Sequence, residues 1–389
     1  MGLELLFLLL PFAALSGWWI GRNGRTTQGL KASRELSQGY LQGLNYLISE
    51  QPDKAIEVFV RMLDVDSDTI ETHFALGSLF RRRGEVDRAI RIHQNLIARP
   101  ALSVSQRNHA LYELGRDYFA AGLLDRAENL FVELANDPEF RGRALVQLQA
   151  IYQQEKEWDK AIEVADRLGY VDSGSLGPTI AHYHCELAEK AMQNGERERA
   201  TRLVKRALSV DRHCVRASLL EAELELGRDQ AKAALKALAR IEHQDPEFIS
   251  ESLDLLQRAY QRAGKPAQFI AHLEHLFDAF PSTSVALAYT ESVRAREGAQ
   301  AAAAMLTEQL RAHPSLWGLL QLIGMKLEDP RPESRDDILL VQELLTKYLE
   351  SKPRYRCKSC GFVTKALHWQ CPGCKQWNTV KPIQGFEGE

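Results

Sequence analysis

The chain has 389 residues, 45% of them hydrophobic and 26% charged, a balance that excludes a disordered chain and fits either a few globular domains or one elongated repeat array. A formal net charge of −3 gives no global attraction to nucleic acid, so any charged function is local. Four of its six cysteines crowd into residues 357–374 as two CxxC pairs, while Cys185 and Cys214 stand apart in helical patterns, which excludes a disulfide framework and fits a reducing compartment.

Between Gly2 and Gly21 the chain reads LELLFLLLPFAALSGWWI, apolar apart from Glu4 and Ser16 and just long enough to cross a thin bilayer at about 1.5 Å per residue. Trp18 and Trp19 close it, and Arg22, Arg25, Lys31 and Arg34 follow. Aromatic rings favour the headgroup zone, and basic flanks stay on the cytoplasmic side. The segment lacks the basic start and small-residue cleavage site of a removable signal. The expectation is a transmembrane anchor over 1–21, a juxtamembrane basic linker over 22–36, and the bulk of the chain on the cytoplasmic side of the membrane.

A period of about 34 residues follows. The strings GLNYLISEQPDKAIEVF from Gly43, GSLFRRRGEVDRAIRIH from Gly77 and GRDYFAAGLLDRAENLF from Gly115 repeat one chemistry. A glycine leads, an aromatic (Tyr46, Phe80, Tyr118) follows, then an alanine (Ala55, Ala89, Ala127), with Gly84 and Gly122 marking a turn. Small residues permit two antiparallel helices to cross closely, and large ones fill the space around them. The skeleton continues with drift through Ala161, Ala200, Ala234, Phe269 and Ala303, and Pro246 and Pro281 fall where a second helix ends. The pattern resembles the tetratricopeptide repeat family. That resemblance implies an all-α superhelical solenoid of about eight to nine helix pairs over residues 37–352, presenting a groove for partner proteins. It also places Tyr40, Phe74 and Tyr112 at groove-lining positions with Arg81, Arg82 and Arg116 beside them, a set able to hold an acidic peptide segment; the competing reading is that these aromatics pack between helices.

Residues 353–389 carry Cys357, Cys360, Cys371 and Cys374 as C-x2-C-x10-C-x2-C. Two CxxC turns present four thiolates to one point, which suits one closed tetrahedral metal, zinc favoured and iron possible. Gly361 and the Pro372–Gly373 pair resemble rubredoxin-type knuckles, and Phe362, Trp369 and Trp377 are available to pack round the site or against the last helices. So small a segment needs the metal to fold. Two other groupings carry no metal chemistry on spacing grounds. His182, His184 and Cys185 do not share one helix face, and His272 and His275 lack the spacing of a zinc-protease helix. No phosphate loop, nucleophile elbow or dinucleotide fingerprint occurs in the sequence, which argues against an enzyme.

Anchor, helical repeats and terminal knuckle in this order resemble the lipopolysaccharide assembly protein B family over the whole chain. Membership would imply an inner-membrane adaptor that restrains lipopolysaccharide synthesis by presenting the deacetylase LpxC to the membrane protease FtsH, among other inner-membrane lipopolysaccharide assembly proteins. Nucleic acid is disfavoured as a partner, and a second copy of the chain is a candidate. The competing readings are a redox protein and a nucleic-acid-binding protein that use the knuckle.

Overall fold

The computed structural model describes residues 18, 40–46, 48–49, 51, 54–59, 70–100, 102–169, 176–327 and 335–388. No helix among the described residues is long and apolar enough to cross a membrane. The expected anchor over 1–21, Trp18 apart, and the linker over 22–36 lie outside the described residues. The chain divides into two compact units, Met1–Glu155 and Lys156–Glu389.

In the first unit, helical residues 40–46 and 54–59 precede α1 (Ile70–Arg82), α2 (Val86–Ile97), α3 (Val104–Ala120), α4 (Leu124–Leu134) and α5 (Arg141–Glu155). The start of α3 is fixed by a capping box, in which Ser103 Oγ accepts from Gln106 N–H while the Gln106 side chain accepts from Ser103 N–H. The helices pair in hairpins because glycine sits at each crossing. A Cβ on Gly43, Gly77 or Gly115 would come within 2.5, 2.5 and 2.8 Å of the rings of Phe59, His93 and Phe131. The three glycines therefore hold the same place in successive hairpins, as the repeat pattern requires. Ala55, Ala89 and Ala127 are all fully buried.

The second unit holds α6 (Trp158–Gly169), α7 (Gly177–Gln193), α8 (Arg197–Val210), α9 (Val215–Leu226), α10 (Ala231–Leu238) and the short α11 (Ile241–Gln244). A 3-10 turn over Pro246–Phe248 leads to α12 (Ile249–Arg262) and α13 (Pro266–Ala279). The helices end with α14 (Thr283–Glu297), α15 (Ala299–Ala312), α16 (Leu316–Leu327) and α17 (Arg335–Ser351). Within this unit α7/α8, α9/α10 and α14/α15 pack as hairpins, and Ala200 and Ala234 are buried anchors as expected. In α14/α15 the register differs from the sequence reading. Gly298 alone caps both helices, so this turn is shorter than its counterparts, and Ala302 rather than Ala303 fills the buried anchor place.

After α17 come three short strands, β1 (Tyr355–Cys357), β2 (Val363–Thr364) and β3 (Val380–Pro382). They form an antiparallel sheet in the order β2-β1-β3, with Arg356 facing Val363 on one side and Lys381 on the other.

Candidate metal centre and its seat on the repeats

Local geometry brings the four cysteines together. Gly361, with φ 78°, and Lys375, with φ 61°, close the two CxxC turns in the left-handed region. All four sulfurs lie within 4.8 Å of one another. Cys357 Sγ to Cys374 Sγ is 3.7 Å and Cys360 Sγ to Cys371 Sγ is 3.6 Å. A tetrahedron with metal–sulfur bonds of about 2.3 Å has edges of roughly 3.8 Å, so the donor set fits a single tetrahedral ion. Cys357 and Cys371 are buried, whereas Cys360 is exposed at the tip.

Hydrogen bonding supports thiolate character. Cys360 N–H points at Cys357 Sγ at 3.4 Å, and Thr379 Oγ1 lies 3.3 Å from the same sulfur. Burial pushes the Cys357 thiol up, but these donors outweigh it and hold the group at about 6. At Cys360 a backbone donor from Phe362 acts downward, yet burial and the neighbouring sulfurs carry the thiol to about 11. Four thiols this close cannot all ionise without a cation among them, which is the electrostatic work a metal would perform.

The knuckle is seated on the repeats by aromatic side chains. Trp377 stacks on His182 at 5.1 Å between ring centroids and meets Trp158 and Tyr183 edge-on at 5.9 and 5.8 Å. Trp369 packs on Phe248 at 5.1 Å, with the Arg216 guanidinium 5.9 Å from its ring. Arg216 is itself buried and held by Glu186 at 2.8 Å and Glu189 at 2.9 Å. Polar ties run round the edge: Tyr355 donates to Glu251 at 2.7 Å, Lys358 pairs with Glu247, and Lys381 pairs with Asp245 while lying over the Phe248 ring. Trp369 and Trp377 thus reach the helices over 158–193 and the turn over 246–248, not the last helices, and Phe362 stays exposed.

The groove residues are placed separately. Tyr40 packs against Phe59, Phe74 stacks on His109 at 4.2 Å, and Tyr112 is buried against Phe131 and Phe140. Arg81 binds Glu113 and Asp117, each at 2.6 Å, and Arg116 binds Glu113 at 3.1 Å. Burial would raise the Glu113 carboxyl, but Arg81 and Arg116 hold it below the usual range. Asp117 is fully buried and also meets His93 Nδ1 at 2.5 Å. Arg82 is exposed. The sequence reading missed this carboxylate pair, whose only local signal is Glu113 and Asp117 four apart on one helix face. Of the remaining histidines and cysteines, Cys185 and Cys214 face each other in the core at 3.9 Å, and His272 and His275 both meet the Glu242 carboxylate.

Comparison with known proteins agrees with both parts. Residues 72–105 match the tetratricopeptide repeat, and residues 355–382 match the rubredoxin metal binding domain. The lipopolysaccharide assembly protein B of Escherichia coli (strain K12) is 40% identical over 387 residues, covering 99% of this chain and 100% of that protein. Its namesake from Haemophilus influenzae is 35% identical over 394 residues, covering 99% of each. Among solved structures, a tetratricopeptide repeat protein from Parabacteroides merdae covers 80% of this chain and 99% of its own, at 15% identity and a TM-score of 0.31, a superposition too loose to bear on function.

Proposed function

The chain belongs to the lipopolysaccharide assembly protein B family, and from that membership we propose that it is an adaptor in lipopolysaccharide assembly whose repeats bind other proteins while its metal centre shapes the surface they present. The observation that supports this reading most is the use made of the knuckle. Four thiolates close on one another with no fifth donor needed, and the aromatic residues around them are engaged with Trp158, His182, Tyr183 and Phe248. A site closed in this way is a structural site, and zinc suits it.

In this proposal residues 1–21 hold the chain in the inner membrane with its bulk on the cytoplasmic side. The repeats then carry the deacetylase LpxC to the protease FtsH in the same bilayer. Confining both to one surface raises their effective concentration, so modest contacts suffice. Tyr40, Phe74, Arg82 and Arg116 are the residues assigned to an acidic stretch of a partner, while Tyr112 and Arg81 support them from the core.

The test is turnover of LpxC in cells. A chain lacking residues 1–21 is expected to co-purify with LpxC but to leave its half-life as long as in cells without the protein. Restoration of rapid turnover by that truncated chain, or failure of the intact chain to bind either partner, would refute the adaptor reading.

A further inference from the structure

Cys185 and Cys214 are the cysteines that the knuckle does not use. Cys185 lies within α7, and Cys214 holds the cap position that starts α9. They are 0% and 3% exposed, and their sulfurs meet at 3.9 Å among Ala181, Ala188, Ala217 and Leu220. A buried cysteine packed for volume alone needs no second sulfur in contact with it. The two thiols are also unlike each other. The Cys185 thiol, and behind it the Ala217 N–H at the start of α9, draw the Cys214 group below its ordinary value against the effect of burial. Burial, with Cys214 beside it, holds the Cys185 thiol well above its own. One sulfur is thus ready to react as a thiolate, while its neighbour stays a thiol at contact distance.

We propose that Cys185 and Cys214 are a reversible, peroxide-responsive dithiol whose disulfide cross-links α7 to α9 beneath the knuckle. A disulfide bond of about 2.05 Å asks the sulfurs to close by roughly a further 1.9 Å, a movement within the reach of rotation about the two Cα–Cβ bonds. Cys214 reacts first, because it ends the short segment over 211–214 in which Arg212 and His213 are exposed. Local opening there admits a molecule the size of hydrogen peroxide. The Cys214 thiolate attacks one peroxide oxygen, the O–O bond breaks and hydroxide leaves, giving a sulfenic acid. The Cys185 sulfur then attacks the sulfenyl sulfur. The S–S bond forms, the S–O bond breaks, and the departing hydroxide takes the Cys185 proton as water. Two thiols are oxidised and one peroxide is reduced, and a small thiol of a reducing compartment reverses the step by exchange. Position gives the bond its consequence. His182 and Tyr183, which meet Trp377, precede Cys185 on α7, and Arg216, which faces Trp369, follows Cys214 on α9. Arg216 already ties α9 to Glu186 and Glu189 of α7, so the disulfide holds covalently a crossing that the ion cluster holds reversibly, and fixes the seat of the knuckle. This inference stands apart from the adaptor reading.

Peptide mass mapping of the metal-loaded full chain tests it, after graded hydrogen peroxide and a quench in denaturant with an alkylating reagent. The expected result is one linked pair of peptides carrying Cys185 and Cys214, two hydrogens lighter than the thiol form and restored to it by dithiothreitol. Cys185→Ser, which keeps a hydrogen-bond donor beside Cys214, should leave Cys214 as a sulfenic acid captured by dimedone. Cys214→Ser should leave Cys185 a free thiol at the same dose. The wild-type map decides the matter even if neither variant folds. Recovery of both residues as alkylated thiols at peroxide doses that already release the metal from the knuckle overturns the proposal. So does a disulfide that joins either of them to Cys357, Cys360, Cys371 or Cys374 instead.

Discussion

His182 is 3% exposed, lies against both Trp369 and Trp377, and keeps its Nδ1 without a hydrogen-bond partner among the described residues. Burial first, and then the Arg216 and Lys381 cations, drive its pKa down from 6.5 to about 3. The folded chain therefore refuses a proton that the unfolded chain accepts below about 6.5. Stability is full above that value and falls as the pH drops through it, by about 1.4 kcal/mol per pH unit. Between pH 7 and pH 5 the single residue is expected to cost the second unit about 2 kcal/mol. His182→Phe keeps a ring of similar size on Trp377 and removes the titration, so urea melts of the variant at the two pH values should differ by about 2 kcal/mol less than those of the wild type. Equal pH slopes would show that the ring is not buried as described. The same residue shows what the sequence withheld. Cysteine ligands announce themselves by spacing because two CxxC turns are local geometry, whereas His182, Arg216, Trp158 and Phe248 become one seat only through contacts more than a hundred residues apart from the knuckle.

Among the elements, the helical hairpin is the one the sequence states most clearly, and its stability depends on the crossing. Gly77 in α1 lies so close to the His93 ring of α2 that an added Cβ would stand 2.5 Å away. His93 cannot yield freely, since its Nδ1 is fixed to the buried Asp117. Gly77→Ala gains helix propensity of about 1 kcal/mol, but overpacking a rigid contact costs about 1–3 kcal/mol and disturbs a buried ion network as well. The net expectation is a destabilisation of roughly 1–2 kcal/mol, read as a lower urea midpoint; a variant as stable as the wild type would mean the helices do not cross there. Glycine was a sound guide to the crossings but an incomplete one to the turns. Lys156, with φ 59°, and Asp229, with φ 60°, adopt the same left-handed backbone as Gly84, Gly122 and Gly195, each five residues before a buried alanine. Repeats that lack the glycine signal thus keep the geometry, because packing of the two helices outweighs a strain of about 1–2 kcal/mol at one residue. The slip from Ala303 to Ala302 has the opposite cause: Gly298, at φ 93° and ψ 171°, makes a shorter turn that a glycine in the pattern does not by itself reveal.

At the scale of the whole molecule the question is what holds residues 355–382 in place, the metal or the repeats. The sheet has strands of three, two and three residues, and its own core is Cys357, Cys371 and Val380, too little to fold unaided. Docking adds two tryptophans, each worth about 1.5–3 kcal/mol if fully buried, and both are only partly so. The Lys358–Glu247 pair is largely exposed and contributes little. A structural zinc ion contributes about 10–16 kcal/mol at neutral pH, so the metal wins. Chelation is therefore expected to release the knuckle while the helices persist. Far-ultraviolet dichroism should change little, tryptophan emission should shift to the red as Trp369 and Trp377 meet water, and protease should cut between Ser351 and Tyr355. Metal analysis of the untreated chain should return one ion per chain, colourless if zinc and red if iron. Unshifted emission after the ion is removed would mean that the aromatic seat alone suffices, and the centre would then have to be explained by chemistry rather than architecture.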